Sequence, residues 1–393
     1  MEHRDQTAIV GIGATPFYRR GQSLPQTPLE MACKATLSAV ADAGLSVKDI
    51  DGFAYYTGGV DTGHMALSLG IPEIKFSATL TGGGSGCPGS VGLASAAIIS
   101  GQAEVVVSLL TLQQVEYARL GAAMAAKAGP YARPPTPERD FVAPYGAFAP
   151  GHFFSLIAKR HMHEYGTTRE HFAEVCISTR NYAINHPTSI RKTPLTLDEY
   201  FSARMISDPL CLFDYTMESD GAVAVITTSA ARAKDLKQTP VYVRAAASGG
   251  DGRWGRGISS MAMPDDLFPT AGGAAIAKSV YQRAGLGPDD IDVALLYDHF
   301  SPMVLLQLED FGFCARGESG PFVAEGNLRP GGKIPVNTHG GNLSNCYIIG
   351  MTHIVEGVEQ LRGTAANQVP GAETALVTGG PSSIPYSAII LRK

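Results

Sequence analysis

Long apolar runs, paired cysteines and clustered positive charge are all missing from this 393-residue chain. No stretch approaches the ~18 uninterrupted apolar residues that a membrane-spanning helix needs. The N-terminus, MEHRDQTAIVGIG, enters a strand-like run without the apolar core of a signal peptide. A cytoplasmic protein with no membrane association is therefore expected. The six cysteines, at positions 33, 87, 176, 211, 314 and 346, show no CxxC spacing, so neither disulfides nor a metal site is indicated. The charge balance, 31 basic against 36 acidic residues, gives −5 overall with no basic run. Nucleic acid and anionic membranes are poor partners for such a surface, and an anionic substrate would need a local basic pocket.

What is present is glycine, 45 residues of it, in a chain long enough for two or three core units. Its most informative feature is an internal echo. AGLSVKDIDGFAYY begins at Ala43 and AGLGPDDIDVALLYD at Ala284; each follows an alanine-rich helical run and leads into an apolar strand. The repeated order of helix, A-G-L, D-I-D and strand is that of two related α/β halves. We divide them as 1–245 and 246–393. A small-residue helix, GSVGLASAAIISG (89–101), is expected in a layer between two sheets, with IIGMTHIVEGVEQLRG as its later counterpart. Between about 117 and 209 a proline-rich stretch and an amphipathic helix pair read as a subdomain inserted in the first half, of the kind that covers a site.

Four segments carry candidate chemistry. TGGGSGCPGS (81–90) brings Gly84, Ser85, Gly86 and Cys87 to a helix N-terminus, where the dipole would lower a thiol pKa; the alternative is a glycine turn lining a pocket. LLYDHF (295–300) places Tyr297, Asp298 and His299 at a strand end, with the two rings on one side and the carboxyl on the other. NTHGGNLSNCYIIG (337–350) supplies His339, Asn342 and Tyr347 ahead of a helix read as 347–362. GGDGRWGRG (249–257) offers Arg253 and Arg256 to phosphates, or is a surface loop. GIGATP (11–16) lacks the third glycine of a dinucleotide loop and reads as a strand-to-loop turn. The histidines of RHMHE (160–164) are poorly spaced for a metal and read as surface.

Taken together these segments resemble the thiolase superfamily, in its branch related to sterol carrier protein, over nearly the whole chain. The resemblance implies a five-layered α-β-α-β-α fold. The departures from it carry information. Thiolases of that branch keep a nucleophilic cysteine at the start of the buried helix, where GGGSGCPGS stands here with Cys87 slightly out of register. The family's His-Asp-Cys-Phe step is Tyr297-Asp298-His299-Phe300, and its Gly-His-Pro step is Cys346-Tyr347-Ile348. Its last cysteine motif is replaced by GGPSSIP (379–385), which includes Gly380. Two histidines have become tyrosines. This pattern is similar to the thiolase-like aldolases that cleave steroid side chains by a retro-aldol reaction. The resemblance implies a β-hydroxyacyl-CoA substrate, with coenzyme A as part of the substrate and no bound cofactor. Tyr297 and Tyr347 would then carry protons, assisted by an imidazolium at His299 or His339 or by a helix N-terminus. Asn342, Gly380 and the 84–86 turn would form the oxyanion site. It also implies a homodimer and a small OB-fold and zinc-ribbon partner protein, giving a heterotetramer. Two other functions remain open on residues alone: a Claisen-type thiolase or acyltransferase using Cys87, and a non-catalytic acyl-CoA-binding subunit.

Overall fold

The computed structural model describes residues 3–56, 60–80, 84, 86–116, 143–147, 149–254 and 264–393. Ser85, Arg256 and the proline-rich part of the insertion, 117–142, lie outside the described residues.

In the first half the elements run β1 (Thr7–Ala14), β2 (Tyr18–Arg19), α1 (Pro28–Ala43), β3 (Gly52–Tyr56), α2 (Thr62–Leu69), β4 (Phe76–Leu80), α3 (Gly86–Ile99) and β5 (Val105–Leu112). The insertion follows, with α4 (Pro150–Tyr165), α5 (Arg169–Asn185), α6 (Leu197–Ser202) and the hairpin β6 (Met205–Ser207) and β7 (Leu210–Cys211). β8 (Ser219–Ser229) and the short α7 (Ala230–Ala233) close the half. The second half runs β9 (Val241–Gly249), α8 (Ala274–Ala284), β10 (Val293–Leu295), α9 (Ser301–Asp310), α10 (Ser319–Ala324), α11 (Met351–Arg362), β11 (Thr374–Gly379) and β12 (Tyr386–Arg392).

The main strands lie in the order β10-β11-β12-β9-β1-β8-β5-β3-β4. At its middle, β1 and β9 pair only through Ala8–Tyr242 and Ile9–Val241, so the array is two sheets joined along a short seam. α3 and α11 contact strands of both sheets, α1 covers β1 and β8, and α8 covers β9 and β12, which makes five layers. The buried face of α1 is mostly alanine, and β1 meets it with glycine: a Cβ on Gly11 or Gly13 would stand 2.3 Å from the carbonyl oxygen of Ala39 or Ala35. The glycines of GIGATP therefore serve helix-on-strand packing.

The echo has a physical basis in each half. Gly44 and Gly285 end α1 and α8 in the left-handed region, at φ 71° and 70°. Asp49 and Asp290 accept from the backbone N–H of Ser46 and Gly287, closing the turn that follows. Asp51 accepts from the N–H groups of Glu104 and Val105 at the start of β5, and Asp292 from those of Glu373 and Thr374 at the start of β11. Each D-I-D thus fixes where the neighbouring parallel strand begins. Val336 bridges Ala294 in parallel, the place β4 holds beside β3.

RHMHE is not all surface. His161 is buried because its ring joins Thr167 to Glu309 on α9, at 2.8 and 3.1 Å, and so ties the insertion to the second half. Among the described residues no helix is long and apolar enough to cross a membrane.

Candidate active site

Tyr297 stands two residues beyond β10 and is held by its backbone on both sides. Its N–H donates to Thr378 Oγ1 at 3.0 Å, and its carbonyl accepts from Gln307 Nε2 at 2.8 Å. Thr378 and Tyr386 in turn donate to Gln307 Oε1, so the amide of Gln307 is fixed by what it holds. One residue earlier, Asn337 pairs its amide with both the N–H and the carbonyl of Leu296. The result is a strand end with little freedom, carrying a phenol that is 2% exposed.

Tyr347 arrives by a different route. Gly340 and Gly341 turn the chain at positive φ into a single π-helical turn, Gly341–Asn345, and the Tyr347 N–H then donates to Ser219 Oγ at 3.1 Å. The insertion grips this turn: Ile190 and Arg191 donate backbone N–H groups to the carbonyls of Asn345 and Ser344, and Thr216 Oγ1 donates to the carbonyl of Asn342. The two phenol oxygens meet at 3.1 Å. Glycine walls the pair: a Cβ on Gly84 would stand 2.5 Å from Tyr297 Cζ and Oη, and one on Gly350 2.8 Å from Tyr297 Cδ2.

The helix expected from residue 347 begins instead at Met351. Ile349 and Gly350 take left-handed conformations, φ 46° and 82°, and hold the first turn away from Tyr347. Its dipole is therefore not aimed from beside the phenol.

The expected imidazolium is also absent. His299 lies against Phe154 (ring centroids 4.3 Å apart) and Tyr297 (5.0 Å), and burial pushes its pKa down to about 3. His339 is fully enclosed, lies near His353 and His186, and is held well below its ordinary value by burial first and these neighbours second. Both rings are neutral at physiological pH. Cys87 does sit in the first turn of α3, but its thiol is buried and donates to the carbonyl of Ile349 at 2.8 Å. Burial raises its pKa, the opposite of the lowering expected from the helix dipole.

Asp298 turns away from the phenols and accepts from the backbone of Asn342 and Leu343. The Asn342 side chain is buried, with neither amide atom hydrogen-bonded. Gly86 opens α3. Gly380, buried at φ 80°, follows the strand end that abuts the 84–88 turn, where a Cβ on Gly379 would meet Pro88 and the carbonyl of Gly84. Arg253 is exposed and already paired with Asp251 (2.9 Å) and Asp266 (3.3 Å). Behind the 339–345 turn a cavity of about 170 Å³ is lined by His186, His339, Asn345, Glu356 and Glu359. His186, Glu356 and Glu359 bring ligand atoms within 4.8 Å of one another. The His186 Nδ1 lies 3.0 Å from the Asn345 amide nitrogen and 3.1 Å from Thr188 Oγ1, and its Nε2 lies 3.7 Å from Glu356 Oε2.

A family model described as "Thiolase C-terminal domain-like" matches residues 252–392. The chain is 39% identical to the 17-hydroxy-3-oxo-4-pregnene-20-carboxyl-CoA lyase of Mycobacterium tuberculosis, over 98% of this chain and 99% of that one. It is 37% identical to a steroid side-chain-cleaving aldolase of Thermomonospora curvata, over 98% and 97%. The solved structure described as "Ltp2-ChsH2(DUF35) aldolase" superposes with a TM-score of 0.90 at 37% identity, covering 99% of this chain and 98% of that chain. The chain belongs to the thiolase superfamily, among its side-chain-cleaving aldolases. In this thiolase-fold aldolase the residues that sequence reasoning missed are the ones that hold the phenols: Thr378, Gln307, Ser219 and His353. Thr378, Gln307 and His353 stand in largely apolar runs and Ser219 between two acidic residues, and apart from Gln307 none has a local pattern to mark it. Gln307 inside SPMVLLQLED was the one visible signal, a fully buried amide that needed partners.

Proposed function

We propose that this protein is a carbon–carbon lyase that cleaves a β-hydroxyacyl-CoA by retro-aldol chemistry, with Tyr297 and Tyr347 as its proton carriers. The observation that carries this reading is the 3.1 Å contact between the two phenol oxygens, which arrive on separate segments of the chain. A thiolase needs a thiolate, and Cys87 is buried with a raised pKa.

One phenolate takes the β-hydroxyl proton. The Cα–Cβ bond breaks, the β-carbon leaves as a ketone or aldehyde, and the electron pair passes to the thioester enolate. The proton then returns from the phenol to the α-carbon, giving the shorter acyl-CoA with no covalent acyl-enzyme. Ionising a lone phenol at neutral pH costs about 4 kcal/mol. A hydrogen bond from a second phenol to that oxygen offsets about 1.5–3 kcal/mol. The unpartnered Asn342 amide and the backbone at Gly84, Gly86 and Gly380 are the proposed oxyanion donors.

The proposal includes a steroid-type side chain with a tertiary β-carbon, a homodimer, and a small OB-fold and zinc-ribbon partner in a heterotetramer. The relatives' names support the steroid-type side chain, and the solved two-component aldolase supports a partner protein. It also includes a cytoplasmic site of action, which six free cysteines favour. The test supplies purified protein, with its partner, with a tertiary β-hydroxyacyl-CoA and follows acyl-CoA and ketone by chromatography. Tyr297→Phe and Tyr347→Phe should each lower turnover by roughly 100-fold or more. Near-wild-type turnover in either variant would sink the tyrosine assignment.

A further inference from the structure

One carboxylate fastens the chain around both tyrosines. Asp298 is peptide-bonded to Tyr297 and wholly buried. Its Oδ1 accepts from the N–H of Asn342 at 2.8 Å and its Oδ2 from that of Leu343 at 3.2 Å, both within the turn that leads into Tyr347. On the other side of Tyr347, in the first turn of α11, His353 brings Nε2 to 3.2 Å from Asp298 Oδ1 and 3.1 Å from the carbonyl of Leu296. A carboxylate and a carbonyl only accept, so Nε2 carries the proton of His353. The fit has no slack: a Cβ on Gly341 would stand 2.0 Å from Asp298 Oδ2.

The chain is therefore pinned before Tyr347 to Asp298, and after it to the Leu296 carbonyl and against Asp298, the two neighbours of Tyr297. We propose that Asp298 and His353 form a positioning pair that sets the separation of the two phenols, acting through the backbone without touching substrate. This rests on the reading of the tyrosines as proton carriers. Asp298 thereby leaves the catalytic set, and His353 enters as a residue on which the catalytic geometry depends.

Reactive groups displaced by about 1 Å lose on the order of 100-fold in rate. His353→Leu should lower kcat by roughly 30- to 100-fold, with KM within about twofold, because the acyl-CoA contacts are left in place. His353→Gln, whose amide N–H reaches towards the same two acceptors, should recover most of that loss. Asp298→Asn keeps the shape but turns an acceptor into a donor against a donor. The double variant Asp298→Asn/His353→Leu should be no slower than Asp298→Asn alone, since the two act as one unit. A crystal structure of His353→Leu should show the phenol oxygens beyond hydrogen-bond distance.

His353→Leu with turnover within about threefold of wild type, His353→Gln no better than His353→Leu, or multiplicative losses in the double variant would each overturn the pair. If His353→Leu fails to fold, the Gln rescue and Asp298→Asn decide the matter. Tyr297→Phe and Tyr347→Phe are measured alongside. If they keep their turnover, the tyrosine reading fails and this proposal with it. If they lose turnover while His353→Leu keeps it, only the positioning pair fails.

Discussion

Gly84→Ala puts a single methyl group against the phenol whose placement the proposed mechanism requires. The new Cβ would stand 2.5 Å from both Cζ and Oη of Tyr297 and 3.0 Å from Cε2, where ordinary contact begins near 3.4 Å. Moving from 2.5 to 3.4 Å requires the phenol to retreat by about 0.9 Å. Gly350 closes against Cδ2 and Cε2 on the same side of the ring, and the backbone of Tyr297 is fixed by Thr378 and Gln307, so the ring has to swing rather than slide. A swing of that size away from Tyr347 takes the 3.1 Å contact out of hydrogen-bond range. Turnover should then fall on the order of 100-fold. Gly84 also sits at φ 82°, where alanine costs about 1–2 kcal/mol of folding stability. Gly363→Ala separates the two effects: it ends α11 at φ 76° with nothing within 4 Å of the added methyl group. It should lose a similar amount of stability in urea unfolding and keep wild-type turnover. Gly84→Ala turning over within about threefold of wild type would refute the claim that the backbone at Gly84 holds the phenol in its working position.

Two further outcomes follow from the buried groups. Cys87→Ala should keep turnover within about twofold, and no labelled acyl group should be trapped on the wild-type thiol, because a protonated sulfur bonded to the Ile349 carbonyl makes a poor nucleophile; loss of turnover together with a trapped acyl-enzyme would restore the thiolase reading. Glu359, on α11, is pushed up to about 7 by burial first and Glu356 second. The folded protein therefore holds that proton at pH values where the unfolded chain has released it, and this site lowers stability as pH rises from about 4.5 to about 7. Glu359→Gln should be more stable than wild type by about 3 kcal/mol at pH 8 and indistinguishable at pH 4, in denaturant titrations at each pH. A constant difference at both pH values would show that the gain has another cause.

Much of the fold was legible because its signals are local. The A-G-L and D-I-D steps mark a left-handed helix end and two carboxylates that satisfy nearby N–H groups, and the same residues do the same work in both halves. The alternation in YDH separates Tyr297 and His299 from Asp298 although all three residues follow β10 rather than lie in it. What was not legible depends on distant chain. The helix dipole at Cys87 is visible in the sequence, whereas its burial and the carbonyl that takes its proton come from Ile349. The run from Tyr347 has helical spacing, but two left-handed residues delay the helix to Met351. His353 has nothing local to mark it, and its acceptors come from the β10 end.

The same burial explains why paired phenols suit this place better than a lone imidazole. An enclosed histidine here is pushed well down, as His299 and His339 show, so as a base it would be weak. Taking a proton would also create a cation and an enolate anion together in a site that disfavours both. A lone buried phenol fares no better, since burial raises Tyr55, Tyr182 and Tyr215 alike. Two phenols in contact change the balance. The singly ionised pair shares one negative charge and one bridging proton, and the retro-aldol step moves that charge from phenolate to enolate without creating a second. Total charge in the pocket is constant through bond cleavage, which needs little reorganisation of the surrounding dipoles. The reaction then depends chiefly on the distance between two oxygens, and the scaffold devotes Thr378, Gln307, Ser219, Asp298 and His353 to holding the chain on either side of them.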